Sequence, residues 1–119
     1  MKMWKDMVSE AKREISLLQV KDVKEKLDRG EEFILVDVRE SEEVQQGRIQ
    51  KSISIPRGVL EMTMEQQLKD RVKPIVLYCA GGGRSALAAH ALKIMGYENV
   101  ASMEGGFGGW KQSGLPVEK

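Results

Sequence analysis

The segment PIVLYCAGGGRSALAAHALKIMG, residues 74–96, predicts a strand, a glycine loop and a helix in direct succession. The unbroken apolar run at residues 75–79 is typical of a strand buried on both faces of a parallel sheet. Residues 85–95 are rich in Ala and Leu, which favours a helix, and Gly96 suits its end. A strand that leads straight into a helix predicts one unit of a parallel α/β sheet.

The rest of the chain repeats this alternation on both sides of the segment. Apolar runs at residues 33–38, 53–55 and 100–103 predict three more strands. Helical patterns lie between them, at residues 20–27, after a capping Ser41, within 59–69 and at 107–112. Strands that alternate with helices predict an α/β fold with a parallel sheet covered on both faces.

An amphipathic helix is predicted at the N-terminus, because apolar residues recur there at helical spacing: Met3, Trp4, Met7, Val8, Ala11 and Ile15. Its polar face carries acids as well as bases, which disfavours a membrane-surface anchor. We therefore expect this helix to pack on the domain or to form a dimer contact. Residues 1–14 are predicted to be an N-terminal extension of a domain at residues 15–119.

Composition excludes several classes of protein. A chain of 119 residues with 41% hydrophobic residues is long and apolar enough for one domain with a core. Its 19 basic and 18 acidic residues lack the basic excess of a nucleic-acid-binding protein. One Cys and one His cannot form a structural zinc site or an internal disulfide. We find no signal peptide or apolar membrane segment, which predicts a cytoplasmic protein with no membrane partner.

The predicted strand ends indicate where a ligand would bind, since sites of open parallel α/β sheets lie beyond the carboxyl ends of the strands. Residues at these ends are Asp37, Arg39, Arg57, Cys79 and Glu104. Cys79 is the only thiol in the chain. An inert buried thiol is the alternative to a reactive one at such a position.

The loop that follows Cys79 favours the reactive thiol. Three consecutive glycines, residues 81–83, let backbone N–H groups turn inward, and the helix that follows adds the positive end of its dipole. Arg84 contributes a full positive charge. Such surroundings lower the pKa of a Cys thiol, which predicts a nucleophilic sulfur in a cradle for an anionic substrate.

Four motifs in this order make the chain resemble the single-domain rhodaneses, or rhodanese-like sulfurtransferases. They are LVDVRE at 35–40, GRIQKSISIPRG at 47–58, CAGGGRS at 79–85 and MEGGFGGWKQSGLPV at 103–117. The resemblance spans roughly residues 15–117. It implies a small three-layer α/β/α sandwich.

The resemblance also implies a mechanism without a metal or organic cofactor. Cys79 would take sulfur from a small anionic donor such as thiosulfate, or from a protein persulfide, and pass it to cyanide or a thiol acceptor. The implied anion-binding loop consists of Ala80, Gly81, Gly82, Gly83, Arg84 and Ser85. Asp37 and Arg39 match the family's Asp-x-Arg and would support the site. The protein would act as a monomer or homodimer.

Loop length separates this activity from its alternatives. Cys79 to Arg84 is C-x-x-x-x-R, as in sulfurtransferases, whereas the related phosphatases and arsenate reductases resemble a loop one residue longer. Ala80 and Gly81 stand where efficient thiosulfate enzymes have basic residues, so a protein persulfide stays open as the donor. Arg48 stands where many members have His. A phosphatase-like or arsenate-reductase-like enzyme and a non-catalytic binding or sulfur-carrier module remain alternatives.

Overall fold

The computed structural model describes all 119 residues of the chain. It contains five strands: β1 Ser16–Leu18, β2 Ile34–Asp37, β3 Ile53–Ser54, β4 Ile75–Tyr78 and β5 Val100–Met103. It has six α-helices: α1 Trp4–Arg13, α2 Val20–Asp28, α3 Ser41–Gln45, α4 Leu60–Gln67, α5 Gly83–Ile94 and α6 Gly106–Gln112. A 3₁₀ turn, Arg57–Val59, leads into α4.

The five strands form one sheet in the order β1-β5-β4-β2-β3, and every neighbouring pair is parallel. Leu77 of β4 is in register with Val36 of β2 on one side and Ser102 of β5 on the other. All four residues of β4 are buried, as expected for a central strand with helices on both faces. The α/β prediction is confirmed.

Successive residues of β4 point to two separate apolar cores, because side chains alternate across a strand. Ile75 and Leu77 pack on one face with residues of α4 and α5, such as Leu92. Val76 and Tyr78 pack on the other face with residues of α2 and α6: Val23, Phe107 and Trp110. The sheet therefore lies between two helical layers, which is the three-layer sandwich that the family resemblance implies.

One strand was missed and one local expectation was wrong. The strand β1 was not predicted, because its three residues form an edge strand with little burial and no clear alternation. Ser41 does not cap α3; it is the first helical residue, and Glu40 precedes it as the cap. The carboxylate of Glu43 accepts the Glu40 backbone N–H at 2.9 Å, which satisfies a free donor at the helix start.

The predicted N-terminal helix is α1, and it packs on α5 through the fully buried Ala11. The Trp4 indole lies over the start of α5, so a Cβ on Gly83 would sit only 2.8 Å from it. An ion pair of 2.8 Å between Lys12 and Glu104 ties α1 to the end of β5.

No helix in the structure combines the length and apolar character needed to cross a bilayer. The division at residue 14 stays a prediction.

Candidate active site

The thiol of Cys79 lies directly beyond β4, at the centre of the sheet and beneath the start of α5. Gly82 has a φ of +108°, which turns the chain from the strand into the helix and favours glycine at this position. The turn directs backbone N–H groups toward the sulfur: that of Gly82 lies 3.1 Å from Sγ and that of Ser85 lies 3.4 Å away. These two N–H groups therefore face the sulfur.

These donors change the acidity of the thiol. Burial raises the pKa of Cys79, whose residue is 1% exposed. Hydrogen bonds from the Ser85 hydroxyl and from the N–H groups of Ser85, Gly82 and Gly81 lower it and outweigh burial. The pKa of the Cys79 thiol thus lies below its ordinary value, because the loop stabilises the thiolate more than burial disfavours it.

A chain of buried hydroxyls continues from the sulfur into the sheet. The Ser85 Oγ lies 3.6 Å from Sγ and 2.7 Å from the Oγ of Ser102 on β5. Both serines are fully buried. With a thiolate at Cys79, the Ser85 hydroxyl can donate to sulfur while the Ser102 hydroxyl donates to Ser85. Ser102 was not among the predicted site residues, since a serine within an apolar strand gives no signal in sequence.

The first turn of α6 holds the Cys79 loop in place. The N–H of Phe107 donates to the Cys79 carbonyl at 2.7 Å, and the N–H of Gly108 donates to the Ala80 carbonyl at 3.0 Å. Gly106 has a φ of +57°, and a Cβ there would lie 2.5 Å from both carbonyl oxygens. Two backbone segments can approach this closely only because residue 106 has no side chain.

Asp37 and Arg39 form a buried ion pair beside this turn. The guanidinium donates to both carboxylate oxygens, at 2.7 Å for the shortest contact, and also to the Gly47 carbonyl at 2.8 Å. It stacks over the Phe107 ring at 4.2 Å. Burial lowers the pKa of Arg39, but the Asp37 carboxylate more than offsets this, so the pKa is raised. The pair links the end of β2 to the segment that supports the Cys79 loop.

Arg84 is held by a residue that sequence reasoning missed. Its guanidinium makes two contacts with the Glu43 carboxylate, at 2.7 and 3.0 Å. The Arg84 hydrogen bonds lower the pKa of Glu43 to about 2, and Glu43 in turn raises the pKa of Arg84. The cation expected to act on the sulfur is therefore already neutralised by a carboxylate 41 positions earlier in the chain.

A cavity of about 340 Å³ opens beside the loop. Its walls come from the segment after β2, from α3, the Cys79 loop, α6 and the C-terminal segment: Arg39, Glu43, Gln46, Ala80, Phe107, Gly108, Lys111 and Val117. Lys111 Nζ lies 5.1 Å from the centre of the Phe107 ring. Lys111 was not predicted as a site residue either, because nothing in its local sequence distinguishes it from other surface lysines.

Of the predicted strand-end residues, only Arg39 lines this cavity. Arg57 pairs with Glu61 at 2.8 Å, and Glu104 pairs with Lys12. Arg48, at the position of the family's His, donates to the Ser52 carbonyl at 2.9 Å. It therefore stabilises its own turn without a contact to Cys79.

Comparison with known proteins identifies the family. The family model named Rhodanese-like domain matches residues 19–113, which is most of the chain. The chain belongs to the rhodanese-like domain family. A sulfurtransferase from Allochromatium vinosum is 31% identical to it over 103 residues, which cover 87% of this chain and 94% of that protein.

Two further proteins are similar to this rhodanese-like chain. The thiosulfate sulfurtransferase GlpE of Haemophilus influenzae is 36% identical, over 71% of this chain and 79% of its own length. A solved structure from Rhodopseudomonas palustris is 38% identical, with a TM-score of 0.92 over 99% of this chain and 96% of that one. That protein is described as being of unknown function and a possible tyrosine phosphatase.

Proposed function

We propose that this rhodanese-like protein is a sulfurtransferase that carries sulfur as a persulfide on Cys79. One observation carries the proposal: the only thiol of the chain sits at a parallel strand end with N–H groups of Gly82 and Ser85 directed at its sulfur. These groups stabilise a thiolate and can stabilise a persulfide anion in the same place. The sulfurtransferase relatives support the same activity.

The first half-reaction forms the persulfide. The Cys79 thiolate attacks the outer sulfur of thiosulfate, a new S–S bond forms at Sγ, and the original S–S bond breaks. Sulfite leaves with the electron pair of that bond. The loop N–H groups and the positive end of the α5 dipole stabilise the negative charge at each stage. No proton transfer is required at the sulfur.

The second half-reaction returns the enzyme to its starting state. Cyanide or an acceptor thiolate attacks the terminal sulfur of the persulfide and takes it, and Cys79 leaves as a thiolate. The hydrogen bonds that lower the pKa of Cys79 also make it a better leaving group. A lone thiol suits this cycle in the reducing cytoplasm, where we place the protein.

The description of the Rhodopseudomonas relative makes a phosphatase the second candidate. The loop argues against it, because the six residues from Cys79 to Arg84 are one fewer than the related phosphatases use for a tetrahedral anion. Arg84 is moreover held by Glu43. Phosphatase activity would require this guanidinium to bind the phosphoryl oxygens instead.

Parallel turnover assays separate the two candidates. We expect the wild-type protein to form thiocyanate from cyanide with thiosulfate or a cysteine persulfide as donor, and Cys79→Ala to form none. We expect no release of nitrophenolate from p-nitrophenyl phosphate. Cys79-dependent release of nitrophenolate without thiocyanate would replace the sulfurtransferase assignment by a phosphatase. Sulfur transfer that persists in Cys79→Ala would also contradict the proposal.

A further inference from the structure

We infer that Glu43 determines the charge selectivity of the site: by pairing with Arg84 it disfavours small, doubly charged donors such as thiosulfate and favours persulfide donors of lower charge. This inference rests on the proposed sulfurtransferase function. Glu43 does not react; it acts on the donor through the charge that it places in the cavity wall.

Glu43 is fixed in place. Its carboxylate accepts two hydrogen bonds from the guanidinium of Arg84 and one, at 2.9 Å, from the backbone N–H of Glu40. Bidentate guanidinium–carboxylate pairs of this kind hold their geometry well. Because the pKa of Glu43 is lowered to about 2, the carboxylate stays charged at any pH at which the enzyme would work.

Most of the charges in and beside the cavity wall are paired. Arg39 is neutralised by the buried Asp37, and Arg84 is neutralised by Glu43. Lys111 is the one cation of the cavity wall that forms no ion pair. Together with Lys111, these two pairs leave one net positive charge, which the thiolate of the attacking Cys79 offsets.

Thiosulfate carries two negative charges, and a persulfide donor of lower charge carries fewer. Because the charges of the site already balance when Cys79 is a thiolate, repulsion grows with the negative charge of the donor, and the Glu43 carboxylate contributes to it. Without the Glu43 charge, the Arg84 guanidinium would be unpaired and the site would carry one more positive charge to attract a dianion. Charge that lines a cleft changes the association rate of small ions by factors of about 10 or more.

Glu43→Gln is the appropriate variant, because glutamine keeps an oxygen to accept the Glu40 N–H while removing the charge. Glu42→Gln is the matched control. Glu42 precedes Glu43 in the first turn of the same helix, and its carboxylate lies near the Ser41 hydroxyl at 3.3 Å. The control therefore removes one negative charge from α3 and leaves the Arg84 pair intact.

The primary readout does not depend on sulfur transfer. Cys79 is the only thiol, so its alkylation can be followed without ambiguity with iodoacetate, an anion, and with iodoacetamide, a neutral reagent of similar size. The ratio of the two rates cancels any change in thiol pKa. We expect Glu43→Gln to raise this ratio severalfold and Glu42→Gln to leave it near the wild-type value. An unchanged or lower ratio in Glu43→Gln would overturn the inference.

The second readout is the kcat/KM for each sulfur donor. We expect Glu43→Gln to raise the value for thiosulfate by about tenfold relative to that for a cysteine persulfide, and Glu42→Gln to change neither. A parallel loss with both donors would show that Glu43 only positions Arg84, and would overturn the inference. If the wild type accepts sulfur from no donor, the proposed function fails, and the alkylation ratio still decides whether Glu43 selects against anions.

Discussion

The backbone N–H of Phe107 donates a 2.7 Å hydrogen bond to the carbonyl oxygen of Cys79, so the first turn of α6 directly supports the strand end that carries the candidate nucleophile. Gly106 makes this contact feasible, since a Cβ there would lie 2.5 Å from the Cys79 carbonyl oxygen. Two segments that are far apart in sequence thereby fix the position of one sulfur atom.

Gly106→Ala is expected to separate these segments. Its φ of +57° disfavours alanine, and the added methyl would collide with backbone that cannot move aside. We expect a loss of about 1–3 kcal/mol in the free energy of unfolding, measured by denaturant titration, together with reduced sulfur transfer. Gly58→Ala is the control, because a Cβ at Gly58 meets nothing within 4 Å. Equal stability of Gly106→Ala and the wild type would contradict this account of the turn.

Ser85→Ala is expected to make the Cys79 thiol less acidic. The hydrogen bond from the Ser85 hydroxyl is among those that lower the pKa of Cys79, so its loss raises that pKa and leaves less thiolate at pH 7. The midpoint of the pH profile of iodoacetamide alkylation should therefore move to higher pH.

Ser102→Ala should shift that profile in the same direction but less, since Ser102 reaches the sulfur only through Ser85. Ser54→Ala, an exposed serine on β3, serves as the control. The Ser85 hydroxyl does not stabilise the thiolate if the alkylation profile of Ser85→Ala coincides with that of the wild type or moves to lower pH.

Asp37→Asn is expected to be strongly destabilising. It leaves the Arg39 guanidinium, whose residue is 4% exposed, without its carboxylate. Breaking one partner of a buried ion pair costs about 3–5 kcal/mol. Asp28→Asn is the matched control, since Asp28 pairs with Lys24 at the surface, where such pairs contribute about 0.3–0.5 kcal/mol. Comparable unfolding free energies for the two variants would refute the structural role of Asp37.

Lys111→Gln is expected to weaken the use of thiosulfate. Lys111 supplies the unpaired positive charge of the cavity, so its removal should raise the KM for thiosulfate severalfold with a smaller effect on kcat. Lys69→Gln, which removes an exposed lysine just after α4, controls for net charge. If Lys111→Gln keeps the wild-type KM, the cavity is not the entry for the anion.

Much of the fold can be predicted because the local signals agree with one another. The run at β4 is apolar throughout, the glycines follow at once, and the α5 pattern begins directly after them. Propensity, burial and turn chemistry therefore lead to the same βα unit. The strand β1 gives no such agreement: three residues at an exposed edge carry too few signals to distinguish a strand from the end of α1.

The candidate site likewise has one part that can be predicted from sequence and one part that cannot. Cys79 and its loop are contiguous in sequence, so the inward N–H groups follow from local residues alone. The partner of Arg84 could not be predicted, because Glu43 reaches it only when β2 and β4 pair and bring α3 beside α5. Ser102 likewise meets Ser85 only through the β4–β5 register. Contacts between distant segments depend on tertiary structure, which residue patterns do not record.

The persulfide itself is the most direct test of the proposed function. Intact mass spectrometry would detect the persulfide. The reduced protein is measured before and after incubation with thiosulfate or a cysteine persulfide, and again after addition of cyanide. Cys79→Ala would be treated alongside. We predict a gain of one sulfur atom that cyanide removes and that Cys79→Ala never shows. The proposed function is contradicted if the folded, reduced wild-type protein gains no sulfur from either donor. It is also contradicted if Cys79→Ala gains sulfur as the wild type does.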